Sequence, residues 1–521
     1  MTLELQNIED KKRKLAACNT SVFSGVDNSY LHFLRRLKIN AFRHITNLEV
    51  SLTHPVTVIS GTNKVGKTSL LLLIACSFEK FMKADSTSPA GQIREHNWSD
   101  VLAFTNHENI GSDYSYELSW RVGTNDRQGE GKRLASSQAW SGLGKKSADT
   151  SRLNAKIRDR EVRFIDLERI LPSRSFSNAL FRKANTATAQ RLNTEIEQAF
   201  SYVFGIGQVE LNEVGSHINK SCFLISHSGQ SYSSYNAASG EEAVIYLLKD
   251  IIDCPPNSLI LIDEVEAGFH PSIQRKLADL IQYISWRDKK QFIITTHSPT
   301  LLSSFPGASR RFIEQSAGGY RVIPGISHQA ARSKMDAVGY PLFRLYCEDD
   351  LAAFLVGKVL TKLSSEDQHF HRLVDVIQSG PIDQVKNDYE RHKRNFPQYR
   401  NPVGYCAVFD GDHKDHPNYS NYFGNATEQA LFLYPFDAPE KFLVRAYLAS
   451  NPNADLASSL QHSDHHSLFQ QMVNLGLATD KNDARAACYA TFENSAEYLK
   501  HKDDLEVFLK GVAFKYSNAQ D

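Results

Sequence analysis

The sequence predicts an α/β protein in which a large, mostly parallel sheet is followed by a smaller one. Three observations lead there. Short runs rich in β-branched and aliphatic residues recur at 56–60, 161–167, 258–266 and 291–297. Helix-like segments separate several of them, and the alternation restarts after Pro306. Alternating β and α elements imply parallel strands with helices on the faces.

The chain has 521 residues, 41% of them hydrophobic and 23% charged, a globular profile of two or three domains. Lys+Arg and Asp+Glu are both 59, so a generally basic nucleic-acid coat is excluded while local basic patches are not. The seven cysteines are widely spaced and form no CxxC pair. That excludes a zinc knuckle and a disulfide framework, and fits a reducing, cytosolic setting. The polar start MTLELQNIEDKKRKL is not a signal peptide, and no apolar run is long enough to span a bilayer, so no membrane partner is expected.

Residues 1–30 read as a polar lead-in. Alternation around Leu37, Ile39, Leu48 and Val50 predicts a hairpin. VTVIS (56–60) reads as a buried strand, followed by a glycine loop and an apolar helix over Thr68–Phe81. Residues 123–160 are polar, with Arg127, Lys132, Arg133, Lys145, Lys146, Arg152, Lys156, Arg158 and Arg160 outnumbering the acids. They read as a solvated, mobile insertion, the sharper reading being a DNA-phosphate contact. A loop entering a helix is expected over 236–252, and a helix from Pro271. In the second unit strands are expected at 343–349, after Arg372 and at 404–412, and the last ~70 residues read as helical. The resulting domains are a large α/β unit at 31–335, a second α/β unit at 340–450 and a helical region at 451–521.

Gly61-Thr-Asn63-Lys64-Val-Gly66-Lys67-Thr68-Ser69 fits the phosphate-binding pattern G-x-x-x-x-G-K-[ST], between a strand and a helix. Glycines let backbone N–H groups turn toward phosphates, and the helix N-terminus adds positive potential. Lys67 is expected on the β/γ oxygens of ATP and Thr68 on Mg2+. Leu259-Ile-Leu-Ile-Asp263-Glu264 is an apolar strand ending in two acids, Asp263 suited to the Mg2+ shell and Glu264 to polarising water. Ser239-Gly240-Glu241 precedes an apolar helix, and His297 closes a strand in TTHSP.

In this order the four motifs resemble ABC-type ATPases. There the Ser-Gly turn reaches the γ-phosphate held by another subunit, and the histidine is the switch residue. The gap between Lys67 and Ser239 shows no sustained heptads, unlike chromosome-maintenance ATPases. LKINAFRHITNLEV and DEVEAGFHPS resemble RecF-like and OLD (overcoming-lysogenization-defect) family ATPases, with Gly268–Pro271 as the dimer-contacting loop. A glutamine loop is implied, with Gln92 the candidate.

OLD-family proteins carry a Toprim nuclease domain after the ATPase. Leu345-Tyr-Cys-Glu348-Asp349-Asp350 and Phe409-Asp410-Gly-Asp412 stand where its acids belong. Clustered carboxylates at neighbouring strand ends are suited to Mg2+ or Mn2+. The resemblance implies Glu348, Asp350, Asp410 and Asp412 as metal ligands, with Glu348, Asp410 and Asp412 catalytic. The sequence departs from the pattern at Asp349, where glycine is usual, and at Ala352, where an acid is usual; Lys441 or Lys500 is the basic residue. Asn387–Arg400 mixes basic and aromatic residues, and reads as an amphipathic helix ahead of a nucleic-acid contact.

The resemblance covers residues 31–445 and implies an antiphage-defence ATPase similar to those of Gabija, Septu and retron systems. It would act as an ATP-gated, metal-dependent DNA endonuclease. The alternative is a regulatory ATPase with a degenerate Toprim-like domain that controls a separate effector nuclease. Implied partners are a second copy of the chain, DNA, and an HNH nuclease or a retron reverse transcriptase with its msDNA. A RecF-like clamp function leaves the second acidic unit unexplained.

Overall fold

The computed structural model describes residues 4–18, 30, 33–62, 64–84, 93–102, 104–105, 107–108, 112–123, 125–136, 139–143, 160–171, 178–217, 220–316, 319–335, 340–366, 370–399, 403–422, 429–434 and 437–517. The chain divides into two compact units, Met1–His328 and Gln329–Asp521.

The first unit is organised by an eight-stranded sheet. Its order is Gly319–Pro324, Arg310–Ser316, Val56–Gly61, Gln291–Thr295, Leu259–Ile262, Val162–Ile165, Phe81–Ala84 and Ile93–His96. The strands from Arg310–Ser316 to Phe81–Ala84 pair in parallel, and the outermost strand at each end is antiparallel. Val56–Gly61, Leu259–Ile262 and Gln291–Thr295 are buried at every position, as continuous apolar runs covered on both faces should be. Their C-terminal ends lie side by side, which places the expected nucleotide residues on one sheet edge.

The helix after the glycine loop covers Lys67–Cys76, shorter than the expected Thr68–Phe81. Ser77 Oγ donates to Leu73 O, and the chain then enters the strand Phe81–Ala84. Pairing with Val162–Ile165 overrides the local helical pattern there.

The predicted hairpin is Phe33–Phe42 with Ile45–Ser51. It belongs to a five-stranded antiparallel sheet with Tyr114–Val122, Asn125–Arg133 and Trp140–Gly142. The insertion reading is corrected here. Arg127, Lys132 and Arg133 lie on a strand, and buried Arg133 stacks its guanidinium on Phe104, 4.4 Å from the ring centre. Arg160 is buried and donates to Asn257 O and Gln291 Oε1, which removes it from any phosphate-contact surface. Lys145, Lys146, Arg152, Lys156 and Arg158 lie outside the described residues. A second antiparallel sheet, spanning Gln190–Arg191 to Gln230–Ser233, precedes the helix Ser239–Ile252.

The second unit has four parallel strands, in the order Val374–Gln378, Phe343–Cys347, Gly404–Asp410, Ala430–Leu433. The helix Ile382–Asn395 turns its aromatic side inward. Tyr389 and His392 are buried, and Tyr346 Oη lies 2.8 Å from His392 Nδ1, so the amphipathic reading of this segment holds and Arg400 lies outside the described residues. Four further helices, from Ala454–His462 to Ala496–Ser517, fill the C-terminal region. All seven cysteines are buried. Among the described residues no helix is long and apolar enough to cross a membrane.

Candidate functional site

The glycine loop is shaped by two close approaches. A Cβ on Gly61 would stand 2.2 Å from Ile313 O, and one on Gly66 (φ 83°) 2.4 Å from Ile45 Cδ1. Only glycine fits either position. Lys64 also has positive φ (65°), and its carbonyl is held by His44 Nε2 at 2.8 Å. Asn63 lies outside the described residues, as does Gln92. Ser69 is buried in the first turn of the helix.

Lys67 is buried and donates to the carbonyls of Gly61 (3.1 Å) and Thr62 (3.2 Å). The ammonium is thus folded back into the loop that is expected to hold phosphates. Burial lowers its pKa to about 8, against the opposing pull of Glu264, Asp263 and Glu266.

Asp263 is the hub of the site. Thr68 Oγ1 donates to its Oδ2 at 2.8 Å and Thr295 Oγ1 to its Oδ1 at 2.6 Å. Thr295 Oγ1 in turn accepts from Glu264 N at 2.9 Å. Two adjacent strand ends and the first turn of the helix after the glycine loop therefore each contribute one member of a connected network. Sequence reasoning missed Thr295, whose only signal was its place at a strand end beside His297. A hydroxyl and a buried carboxylate converging this closely are the donor set a Mg2+–nucleotide needs, so the residues fit that group.

Glu264 leaves the strand in the left-handed region, φ 45°, which is rare for a non-glycine residue. Buried Arg169 holds that turn. Its guanidinium donates to Asp166 O (2.6 Å), Asp263 O (3.0 Å) and Glu264 O (2.5 Å). Arg169 was not among the expected residues, and a lone arginine in DLERI carries no sequence signal for this role. The Glu264 side chain stays half-exposed, with Oε1 3.8 Å from His297 Nε2. Burial lowers the His297 pKa, and the charge of Lys67 adds to the effect. Glu266 accepts from His297 N.

Ser239 is exposed at the start of its helix, and a Cβ on Gly240 would meet Gly268 O at 3.4 Å. The turn therefore sits beside the GFHP segment. Glu241, expected among the nucleotide contacts, is committed to capping: it accepts from Ala238 N (3.0 Å) and from Tyr232 Oη (2.7 Å). Buried Gln274 joins two loops, donating to Phe269 O (2.8 Å) and accepting from Ser298 Oγ (2.5 Å).

This segment has a match among known protein families. Residues 56–303, just under half of the chain, match the family model described as "AAA domain, putative AbiEii toxin, Type IV TA system". A curated relative, the Retron Vc95 probable ATPase of Vibrio cholerae, is 24% identical over 189 residues, 33% of this chain and 35% of the relative. The chain thus spans about a third of the length of that relative. Among solved structures, the SMC head domain from Thermotoga maritima is 14% identical, with 56% of this chain and 98% of that chain covered and a TM-score of 0.34. An Smc head domain with an extended coiled coil, bound to the C-terminal domain of ScpA and derived from Pyrococcus furiosus, is 11% identical, with 56% and 96% covered and a TM-score of 0.35.

In the second unit, Glu348 and Asp410 end adjacent parallel strands. Glu348 Oε1 accepts from Asp410 N at 3.0 Å. Burial, then the charge of Asp412 and Asp349, pushes Glu348 up to about 7. Burial and Glu348 hold Asp410 well above the usual carboxylate range. Asp410 Oδ1 is buried with no hydrogen-bond partner. A buried, unpaired carboxylate oxygen beside a second acid fits a divalent cation. The remaining expected acids divide. Asp412 stays near the pair, beside His413 at 3.6 Å. Asp350 does not join it: it is exposed and paired with Arg485 at 2.8 Å. Asp349 caps the following helix, accepting from Leu351 N and Ala352 N at 2.9 Å each. Lys441 is half-buried in the helix Pro439–Ser450, and Lys500 is exposed on the C-terminal helix.

Proposed function

We propose that the chain is an ATP-hydrolysing switch of an antiphage defence system, in which nucleotide binding brings two copies together. The observation that carries this reading is the Thr68–Asp263–Thr295 network, with Glu264 and His297 at the same sheet edge. Lys67 would leave the Gly61 and Thr62 carbonyls for the β/γ oxygens, and Thr68 and Asp263 would hold Mg2+. Water attacks the γ-phosphorus, its proton passes to Glu264, and the bond to the ADP oxygen breaks. Exposed Ser239 and half-buried Gly240, beside the GFHP segment, would complete the partner's nucleotide site. The defence setting rests on the partial likeness to a retron ATPase.

Lys67→Ala is expected to lose nucleotide binding, and Glu264→Gln to bind ATP, accumulate as a dimer and turn over poorly. Light scattering with ATP and phosphate release measure the two. A Glu264→Gln chain that hydrolyses at the normal rate would refute the assignment of the base. A wild-type chain that stays monomeric with ATP yet turns over fully would refute the shared site.

A second reading, favoured by the orphaned Asp410 Oδ1 beside Glu348, makes the second unit a metal-dependent nuclease. Plasmid cutting with Mg2+ or Mn2+ that Asp410→Ala abolishes would support it. No cutting by a chain that hydrolyses ATP leaves the regulatory role over a separate effector nuclease.

A further inference from the structure

Beside the acidic pair, and independent of whether it cleaves, lies a cluster of different chemistry. Glu440 opens the helix Pro439–Ser450, and His465 and His466 lie in the short turn His465–Ser467. One ligand atom from each of the three lies within 4.8 Å of the others. The Glu440 side chain is 7% exposed, whereas the imidazoles of His465 and His466 are 28% and 67% exposed. A buried carboxylate is thus faced by two rings that open to solvent.

We propose that Glu440, His465 and His466 bind a transition-metal cation of the Zn2+ class, with one coordination position left open. Two imidazoles and one carboxylate are a ligand set for zinc and its neighbours rather than for magnesium, which prefers oxygen throughout. A plain ion pair explains less. His466 Nδ1 is 3.1 Å from Glu440 Oε1, and that one contact would satisfy the acid. It involves only one of the two rings, although their centres are 3.9 Å apart. Two protonated imidazoles that close repel, while two neutral ones can share a metal. Asp464 Oδ1 also stands 3.5 Å from His465 Nδ1 and accepts from His466 N at 3.1 Å. A carboxylate behind an imidazole is the usual way a metal-binding histidine is oriented. The cluster borders the acidic pair: the charge of Glu440 acts on Asp410 and that of His466 on Glu348.

The test uses the full-length chain, stripped with a chelator and titrated with Zn2+ alone, then with Co2+ as a visible probe. About one Zn2+ per chain is expected to survive gel filtration, and Co2+ is expected to give the d–d bands of a nitrogen- and oxygen-ligated site. H465A/H466A, which removes one half-buried and one exposed ring, should lose both signals, and Asp464→Ala should weaken binding about tenfold. Glu348→Gln with Asp410→Asn should keep them. The proposal is overturned if wild type retains no Zn2+, if H465A/H466A retains as much, or if the Glu348/Asp410 variant loses it equally. The last outcome would assign the ion to the acidic pair. ATP turnover followed on the same samples reports separately on the nucleotide site.

Discussion

Arg169→Met tests whether the strained turn at Glu264 matters for chemistry. The guanidinium is buried and donates to three backbone carbonyls. Charge-assisted hydrogen bonds contribute about 1.5–3 kcal/mol each, but burying the cation offsets much of that gain. Methionine fills a similar volume but removes all three bonds, leaving the buried Asp263 carbonyl without this donor while Glu264 O keeps Ala267 N, so a loss of about 3 kcal/mol is expected. For a unit of this size that corresponds to a fall of about 4 °C in its unfolding transition. The second effect is local. Holding a non-glycine residue in the left-handed region costs about 1–3 kcal/mol, and the clamp opposes its relaxation. Without it, the fraction of molecules with Glu264 in place should fall at least tenfold or so, taking kcat with it while KM for ATP stays nearly constant. Scanning calorimetry and steady-state phosphate release give both quantities. A kcat within about twofold of wild type, despite the lower transition, would show that the clamp is structural only and refute the positioning argument.

Other outcomes follow from the same geometry. The unfolded chain keeps the Lys67 proton up to about pH 10.5 and the folded chain only to about 8. Between these values the unfolded state binds more protons, so this group's contribution to stability rises with pH while the phosphate-binding charge is lost. Affinity for a fluorescent ATP analogue should therefore decline between about pH 7 and about pH 9, and a flat profile would contradict a buried lysine. Glu348 has the opposite sign. Its folded pKa of about 7 lies above the ordinary 4.5, so the folded state binds more protons in that window and loses stability as pH rises through it. With EDTA present, Glu348→Gln should flatten the pH dependence of the second unit's unfolding, and added Mn2+ should flatten it in wild type. Gly411→Ala puts a Cβ 1.8 Å from Tyr434 O and 2.1 Å from Leu433 O, so a loss of about 3 kcal/mol is expected by denaturant titration.

The nucleotide edge was legible because each of its residues sits at a fixed offset from a buried apolar run. Val56–Gly61, Leu259–Ile262 and Gln291–Thr295 announce themselves, and Lys67, Asp263, Glu264 and His297 follow directly. What stayed hidden was long-range. Arg169 acts through backbone carbonyls far along the chain, which no local pattern encodes. Asn125–Arg133 reads as loop because glycines and charges fill it, yet antiparallel pairing with Tyr114–Val122 makes it a strand. The run of acids at 348–350 looked uniform in sequence, but its members part ways: Glu348 faces Asp410, Asp349 caps a helix and Asp350 pairs with Arg485. The His465–His466 pair was invisible for a similar reason, since its carboxylate comes from a different helix.

Gln274 has a consequence for communication within the first unit. One amide is fastened at one end to the serine after His297 and at the other to the loop at Phe269. A displacement of either loop must stretch or break a bond to the other, so the two behave as a single lever. Thermodynamic reciprocity then requires that a body whose docking on the Phe269 loop moves this lever alter the grip on any bound triphosphate by the same factor that triphosphate alters the docking.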